Sequence, residues 1–153
     1  MTREEALAAV SEVLRGESFA VFAFAGGTGE PPYTSVMFFA ETDDLEIVFA
    51  TSAGSLKASY ARDGNGACAQ FDTRGVGLDN FAKFARVTLQ GRLEQLVTPE
   101  ATAEAHALYV KKLPFAKAFL RPGILTYRLH PARVVCARGF QERFELEFPA
   151  PAR

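Results

Sequence analysis

The sequence predicts a mainly β domain with flanking helices, in which about six antiparallel strands close into a barrel. Three observations support this fold class. Apolar segments of strand length recur along the chain, Gly, Pro and Asp residues separate them, and only a few stretches have helical spacing. An antiparallel sheet of this kind commonly closes on itself, because closure removes its free edges. We expect one domain over residues 1–148 and a tail over residues 149–153.

Six segments have the composition of strands. They cover residues 19–25, 33–42, 45–50, 67–71 and 84–96, and a final strand or strand pair, bent at Pro131, covers residues 124–129 and 133–137. Asp43-Asp44 is the predicted turn between the second and third strands, so a meander order is expected. The glycines of residues 26–29 lack the spacing of a dinucleotide-binding loop and precede no helix, which indicates a hairpin connection.

The longest predicted strand separates its side chains into two faces. One face is apolar, and the other carries polar residues: Arg86, Thr88, Gln90, Arg92 and Glu94. This polar face is expected to meet a ligand, a second subunit or solvent. The preceding segment, residues 72–83, is a predicted loop that either lies on the surface or closes over a ligand or partner.

Helix starts are marked by capping residues. Thr2 and Glu5 form a predicted capping box for a first helix that ends near Gly16. Ser55 is the predicted N-cap of a short helix that reaches Asp63. Thr98 and the proline that follows it begin a helix to about residue 112, and a short helix follows over residues 114–121.

Composition excludes several classes of function. The chain has 153 residues, 48% of them apolar, and a net charge of −1, so it can form a core but has no basic surplus for nucleic acid or anionic lipid. No apolar run approaches the roughly 18 residues of a membrane span, and the charged N-terminus is not a signal peptide. Cys68 and Cys136 are expected to be buried free thiols. These features predict a cytoplasmic protein without nucleic-acid or membrane partners.

The segment over residues 49–57 has the residue types of a phosphate-binding turn. It ends a strand, begins a helix and contains three hydroxyl residues: Thr51, Ser52 and Ser55. Gly54 allows close approach of the backbone to a ligand, the helix start offers unpaired N–H groups, and Lys57 adds a positive charge in the first helical turn. The alternative interpretation is an N-cap at Ser55 followed by a solvated lysine.

Together with residues 32–39 and 86–93, this segment resembles the pyridoxamine 5′-phosphate oxidase-like superfamily, the FMN-binding split barrels. The resemblance extends from Leu14 to about Phe144. It implies a six-stranded antiparallel split β-barrel and a homodimer with FMN at a composite site between two subunits. The residues that it implies for FMN contact are Ser35, Val36, Ala50, Thr51, Ser55, Lys57, Arg86 and Gln90.

The sequence departs from the oxidases at several positions. Leu56 replaces an arginine of the phosphate motif, Ser35 and Ala40 stand where the oxidases have an arginine and a lysine, and Arg86 stands where they use a glutamine. Arg138-Gly139-Phe140 replaces their C-terminal tryptophan and arginine, an ending closer to uncharacterised small bacterial split barrels and to the haem-utilisation branch. We therefore do not expect efficient oxidation of pyridoxamine phosphate.

Three functions are compatible with these residues. The first is FMN-dependent oxidation or reduction of a small molecule, because a flavin brings its own reactivity and needs no catalytic triad. The second is flavin or haem binding without turnover, in storage, sensing or haem handling, and the third is a split barrel without a cofactor. His106 is expected to be exposed and His130 to be structural, and neither has a partner at metal-ligand spacing, so no metal site is expected.

Overall fold

The computed structural model describes residues 1–150. These residues form eight strands and five helical segments. The strands are β1 (Phe19–Phe24), β2 (Tyr33–Phe38), β3 (Ala40–Glu41), β4 (Ile47–Ser52), β5 (Gly66–Asp72), β6 (Ala85–Gln95), β7 (Ile124–Arg138) and β8 (Glu142–Glu147). The α-helices are α1 (Arg3–Gly16), α2 (Leu56–Tyr60) and α3 (Pro99–Lys112), and two 3₁₀ helices span Leu78–Lys83 and Pro114–Ala118. Of the predicted tail, residues 151–153 lie outside the described residues.

The sheet closes because one extended segment changes its partner at Phe39. β2 pairs with β1, with Val36 opposite Val21, and β3 pairs with β4, with Ala40 opposite Val48. From β2, the hydrogen-bonded neighbours around the sheet are β1, β5, β6, β7 and β4 in this order, and each neighbouring pair is antiparallel. Counted with β2 and β3 as one strand, the barrel has the six predicted strands. The expected meander order is wrong in part, since β1 pairs with β5 and β4 pairs with β7.

The third and the last predicted strands need comment, and one strand was not predicted. The third predicted strand begins too early, because Leu45 adopts a positive φ of 62° in the turn and β4 begins at Ile47. Of the two alternatives for the last segment, the single strand is confirmed: β7 continues through Pro131 across a register shift between Gln90 and Gly91 of β6. Strand β8 was not predicted, although its residues alternate between charged and apolar types.

Aromatic rings fill the barrel. The largest fully buried side chains include five phenylalanines and a tyrosine: Phe22, Phe24, Phe39, Phe49, Phe71 and Tyr127. Helix α1 packs Val10 and Leu14 against this core. A second cluster forms outside the barrel, where α3 covers Val48 of β4 with Ala105 and Tyr109. Burial there raises the pKa of Tyr109 to about 12.

The predicted helix starts are confirmed by their caps. Thr2 Oγ1 accepts the N–H of Glu5 at 3.1 Å, and Glu5 Oε2 accepts the N–H of Thr2 at 2.6 Å, which completes the capping box. Thr98 Oγ1 caps α3 by accepting the N–H of Ala101. Helix α2 is shorter than predicted, because Asp63 leaves the helix and accepts the N–H of Gln95 at 2.8 Å.

The C-terminal end of α3 is tied to the barrel by a nearly buried lysine. Lys112 Nζ donates to the Leu14 carbonyl at 2.8 Å and to Glu41 Oε2, and it lies 3.8 Å from the ring centroid of Phe39. The side chains of Lys112 and Glu41 are only 15% and 12% exposed. This ion pair therefore joins α1, β3 and α3 at one point.

Both cysteines are free: Cys136 is buried and Cys68 is half-buried. Burial raises the pKa of both thiols, so both stay protonated at neutral pH. Across residues 1–150, no helix combines the length and the apolar character needed to cross a membrane.

Candidate functional site

The predicted phosphate turn is held by its own hydroxyl groups. Thr51 lies in β4 with only 6% of its surface exposed, and its Oγ1 is 2.9 Å from Ser55 Oγ. Ser55 Oγ also accepts the N–H of Ala58 at 3.3 Å, and the Ser55 N–H donates to the Ser52 carbonyl at 3.0 Å. The predicted N-cap at Ser55 is confirmed. The turn is thus built around two side-chain hydroxyls that hydrogen-bond to one another.

Lys57 follows this turn as the second residue of α2 and is half-buried. Among the described residues, no acidic side chain forms an ion pair with it. The sequence argument from a helix dipole is wrong here, because α2 has five residues and Lys57 belongs to its last turn as much as to its first. The main positive charge at this turn is therefore the Lys57 ammonium group.

A split in the barrel separates β2 from β4. The β3–β4 pairing ends at Ala40 and Val48, and beyond it β2 pairs with β1 while β4 pairs with β7. In the described chain the second edge of β2 has no strand partner, so backbone N–H and C=O groups remain free along it. Helix α2 contacts both strands, and its Tyr60 ring stacks on Tyr33 at 5.0 Å between centroids.

The predicted site residues of β2 and β4 flank this split. Ser35 and Val36 lie on β2, where Ser35 is half-buried and Val36 is 62% exposed. Ala50 and Thr51 lie on β4, opposite Thr126 and Leu125 of β7. The structure thus brings six predicted residues to the split or to the turn that follows it: Ser35, Val36, Ala50, Thr51, Ser55 and Lys57.

The remaining predicted residues, Arg86 and Gln90, lie apart from the split. Both are exposed on the face of β6 that points away from the barrel core, and β1 and β5 separate β6 from β2. Three strand spacings of about 4.8 Å place β6 roughly 14 Å from β2. Val36 lies on the same outer face of the sheet, by register through Val21, Gln70 and Thr88. One chain therefore does not assemble all the predicted residues.

A cavity of about 290 Å³ opens on this outer face beside Val36. It is lined by Glu17, Phe19, Ala20, Val21, Val36, Gln70, Asp72 and Arg74. Arg74 Nε and Nη2 donate to the two Asp72 oxygens at 2.7 Å each, and these bonds lower the Asp72 pKa. Burial, and then repulsion by Asp72, raise the pKa of Glu17. Sequence reasoning missed the charged residues of this cavity, because only the register of β1 and β5 brings them together.

Both histidines have partners inside the chain. His106 Nε2 is 2.7 Å from Thr126 Oγ1, so its predicted exposure is wrong, and burial lowers its pKa. His130 Nδ1 is 3.0 Å from Glu46 Oε1. Within residues 1–150, no group of three or more His, Cys, Asp or Glu side chains has a geometry that could hold a metal ion.

No protein-family model matches the sequence, and no curated protein matches it. Solved structures do match. The haem-binding protein from Mycobacterium smegmatis has a TM-score of 0.80 at 20% identity, over 96% of this chain and 60% of that one. The FAD-binding protein from the same organism has a TM-score of 0.67 at 15% identity, over 97% and 98% of the two chains.

A third match is a Clostridium acetobutylicum protein related to general stress protein 26, of the pyridoxinephosphate oxidase family. Its TM-score is 0.67 at 15% identity, over 95% of this chain and 96% of that one. This chain spans less than two thirds of the haem-binding protein, so that protein has a further part that this chain does not match. At these identities the likeness shows the fold, and it confirms the architecture that the sequence resemblance implied. The chain has the split-barrel fold that these solved structures share.

Proposed function

We propose that the protein binds FMN at the split between β2 and β4 and acts as an oxidoreductase on a small molecule. The observation that carries this proposal is the Lys57 ammonium group, which has no ion-pair partner among the described residues and follows directly on the Thr51–Ser55 turn at the split. The matches to FAD-binding and pyridoxinephosphate oxidase-family proteins support a flavin as the cofactor.

The Thr51–Ser55 turn suits the phosphate end of FMN. A phosphate monoester carries close to two negative charges, which Lys57 complements, and its oxygens accept hydrogen bonds from hydroxyl groups. The hydroxyls of Thr51 and Ser55 can rotate from one another toward such an acceptor. Because α2 is too short to contribute a helix dipole, Lys57 is the main electrostatic contact in this proposal.

The free edge of β2 suits the flavin ring. Its unpaired backbone N–H and C=O groups alternate along the strand, and the pyrimidine portion of a flavin presents alternating acceptors and a donor. Ser35 and Val36 occupy this edge, and Ala50 faces it across the split. When bound, the flavin supplies the redox chemistry, and these residues hold and orient it.

We also propose a homodimer with a composite site. The partner subunit's Arg86 and the partner subunit's Gln90 would approach the flavin, because within one chain these residues lie too far from β2. Val36 and Phe19 are 62% and 54% exposed on the same outer face, which a second copy would cover. Sedimentation at micromolar concentration is expected to give twice the chain mass of 16.7 kDa. A monomer alone under these conditions would contradict the composite site.

Lys57→Ala is expected to weaken FMN binding by roughly tenfold to a hundredfold, since a charge-assisted hydrogen bond contributes about 1.5–3 kcal/mol. Riboflavin, which lacks the phosphate, is expected to bind both proteins equally. The measurement is a fluorescence-quenching titration with each flavin. Lys117→Ala, which removes an exposed lysine from another short helix, serves as the matched control. Equal FMN affinity for the wild type and Lys57→Ala would show that Lys57 is only a solvated surface residue.

Haem binding is the second candidate, because the haem-binding protein from Mycobacterium smegmatis matches with a TM-score of 0.80. The absorption spectrum of the purified protein distinguishes flavin binding from haem binding. Flavin bands support the proposal. A Soret band without flavin bands supports haem binding, and a spectrum with neither, together with no binding of added FMN or haem, supports a split barrel without a cofactor.

A further inference from the structure

A second cavity, of about 330 Å³, lies where α1, β3 and α3 meet. Its lining comes from these three elements and from the turn that follows β3. None of the lining residues belongs to β1, β2, β5 or β6, whose outer faces meet the second copy in the proposed dimer, and none is a proposed flavin contact. The proposed dimer therefore leaves this cavity open, and the cavity is separate from the proposed flavin site.

Two cations from different helices border the cavity without an ion pair. Arg15 of α1 and Lys111 of α3 are exposed, and neither forms a salt bridge with an acidic side chain of residues 1–150. The third cation, Lys112, is already paired with Glu41. With Asp43 as the remaining charge, the lining carries a net charge of +1, whereas the whole chain carries −1. The two unpaired cations are therefore available to an anionic ligand.

The open edge of β3 adds a backbone donor to the cavity. The Thr42 N–H donates to the Glu46 carbonyl at 2.9 Å, so the alternation of an antiparallel pair directs the Glu41 N–H away from β4. Two residues earlier, the Phe39 N–H points to the same side and donates to the Ser18 carbonyl at 3.4 Å, just beyond the end of α1. The Glu41 N–H therefore points toward the end of α1, and in the described chain no strand pairs with this edge.

We propose that this cavity binds a small dicarboxylate, with one carboxylate at Arg15 and the Glu41 N–H and the other at Lys111. The planar guanidinium group of Arg15 can bind a carboxylate through two hydrogen bonds, and Lys111 supplies a point charge. Half-buried Leu108 lies in the same lining and suits the methylene groups that join the two carboxylates. The volume lies at the lower end of small-molecule sites. This inference goes beyond the proposed flavin function and does not depend on it.

The test is a titration of the purified protein with succinate at low ionic strength, followed by NMR of the backbone amides. Two analogues serve as charge controls: butyrate, which has one carboxylate, and neutral succinamide. Succinate is expected to bind with a Kd of about 1 mM, as ligand efficiency allows for a small fragment, and to shift the Glu41 amide signal. Butyrate is expected to bind about fivefold more weakly, and succinamide more weakly than both. Added NaCl is expected to weaken succinate binding, because salt screens exposed charges.

Two variants locate the interaction. Arg15→Met and Lys111→Met each remove one charge from an exposed position, so both are expected to fold and to weaken succinate binding about fivefold. Lys117→Met removes an exposed lysine that does not line the cavity, and it is expected to leave the succinate affinity unchanged. Equal affinities for succinate and butyrate, an unchanged succinate affinity in either cavity variant, or a Glu41 amide signal that does not shift would each overturn the proposal. An FMN titration of the same samples reports on the flavin site separately.

Discussion

Replacing Gly91 with alanine is expected to prevent the barrel from folding, or to reduce the free energy of unfolding by more than about 4 kcal/mol. A Cβ at this position would lie 1.9 Å from the His130 carbonyl oxygen and 2.8 Å from its carbonyl carbon. Both atoms belong to the backbone of β7, so no side-chain rotation relieves the clash. Relief requires separation of β6 from β7, which share the longest ladder in the sheet.

Gly66→Ala provides the matched control. Gly66 lies in β5, next to β6, and a Cβ there would meet its nearest heavy atom at 3.9 Å, an ordinary contact distance. Alanine is expected to change the free energy of unfolding by less than about 1 kcal/mol at this position. Urea denaturation of both variants measures the difference. Equal stability of Gly91→Ala and the wild type would show that the register shift at Gly91 rearranges at little cost.

Lys112→Met is expected to destabilise the protein by about 2–4 kcal/mol, because breaking an ion pair at low exposure leaves the remaining charge uncompensated. The substitution keeps the apolar length of the side chain but leaves Glu41, only 12% exposed, without its cation. The Leu14 carbonyl at the end of α1 keeps the Glu17 N–H as a donor but loses the Lys112 ammonium group, and the cation–π contact with Phe39 disappears. Urea denaturation is again the measurement.

The double variant Lys112→Met/Glu41→Leu separates the ion pair from packing. Because it leaves no unpaired charge, it is expected to recover at least half of the lost stability. Lys111→Met, at the neighbouring exposed position, is the control and is expected to change the free energy of unfolding by less than about 0.5 kcal/mol. A stability loss of similar size in Lys111→Met and Lys112→Met would contradict the specific role of the pair.

Local sequence signals predicted most elements of the fold. The caps at Thr2, Ser55 and Thr98 mark the helix starts correctly because each depends on a hydrogen bond within three residues. Strand pairing was predicted less well. Nothing in the local pattern indicates that β1 pairs with β5 or that β4 pairs with β7, since these contacts join segments far apart in the chain.

The candidate site shows the same limit. The Thr51–Ser55 hydroxyl pair was found because the two residues are close in sequence. The interaction of His106 with Thr126 and the cavity around Glu17 were missed, because each depends on how distant segments pack. The length of α2 was overestimated because Asp63, a residue compatible with helix, lies outside α2, where its side chain accepts a hydrogen bond from the Gln95 N–H.

The order in which the strands pair has a consequence for self-association. Strand edges remain open in the described chain at the split, along β2 and along β4 beyond Val48, on the side of β3 away from β4, and on the outer edge of β8, which pairs with β7 alone. Open edges can recruit strands of other molecules into intermolecular sheets. In β8, four of the six residues are charged, namely Glu142, Arg143, Glu145 and Glu147, and such an edge resists strand addition. At the split, α2 contacts both bordering strands and restricts access. Copies of this protein should therefore associate through sheet faces, and growth into fibrils by edge pairing is disfavoured.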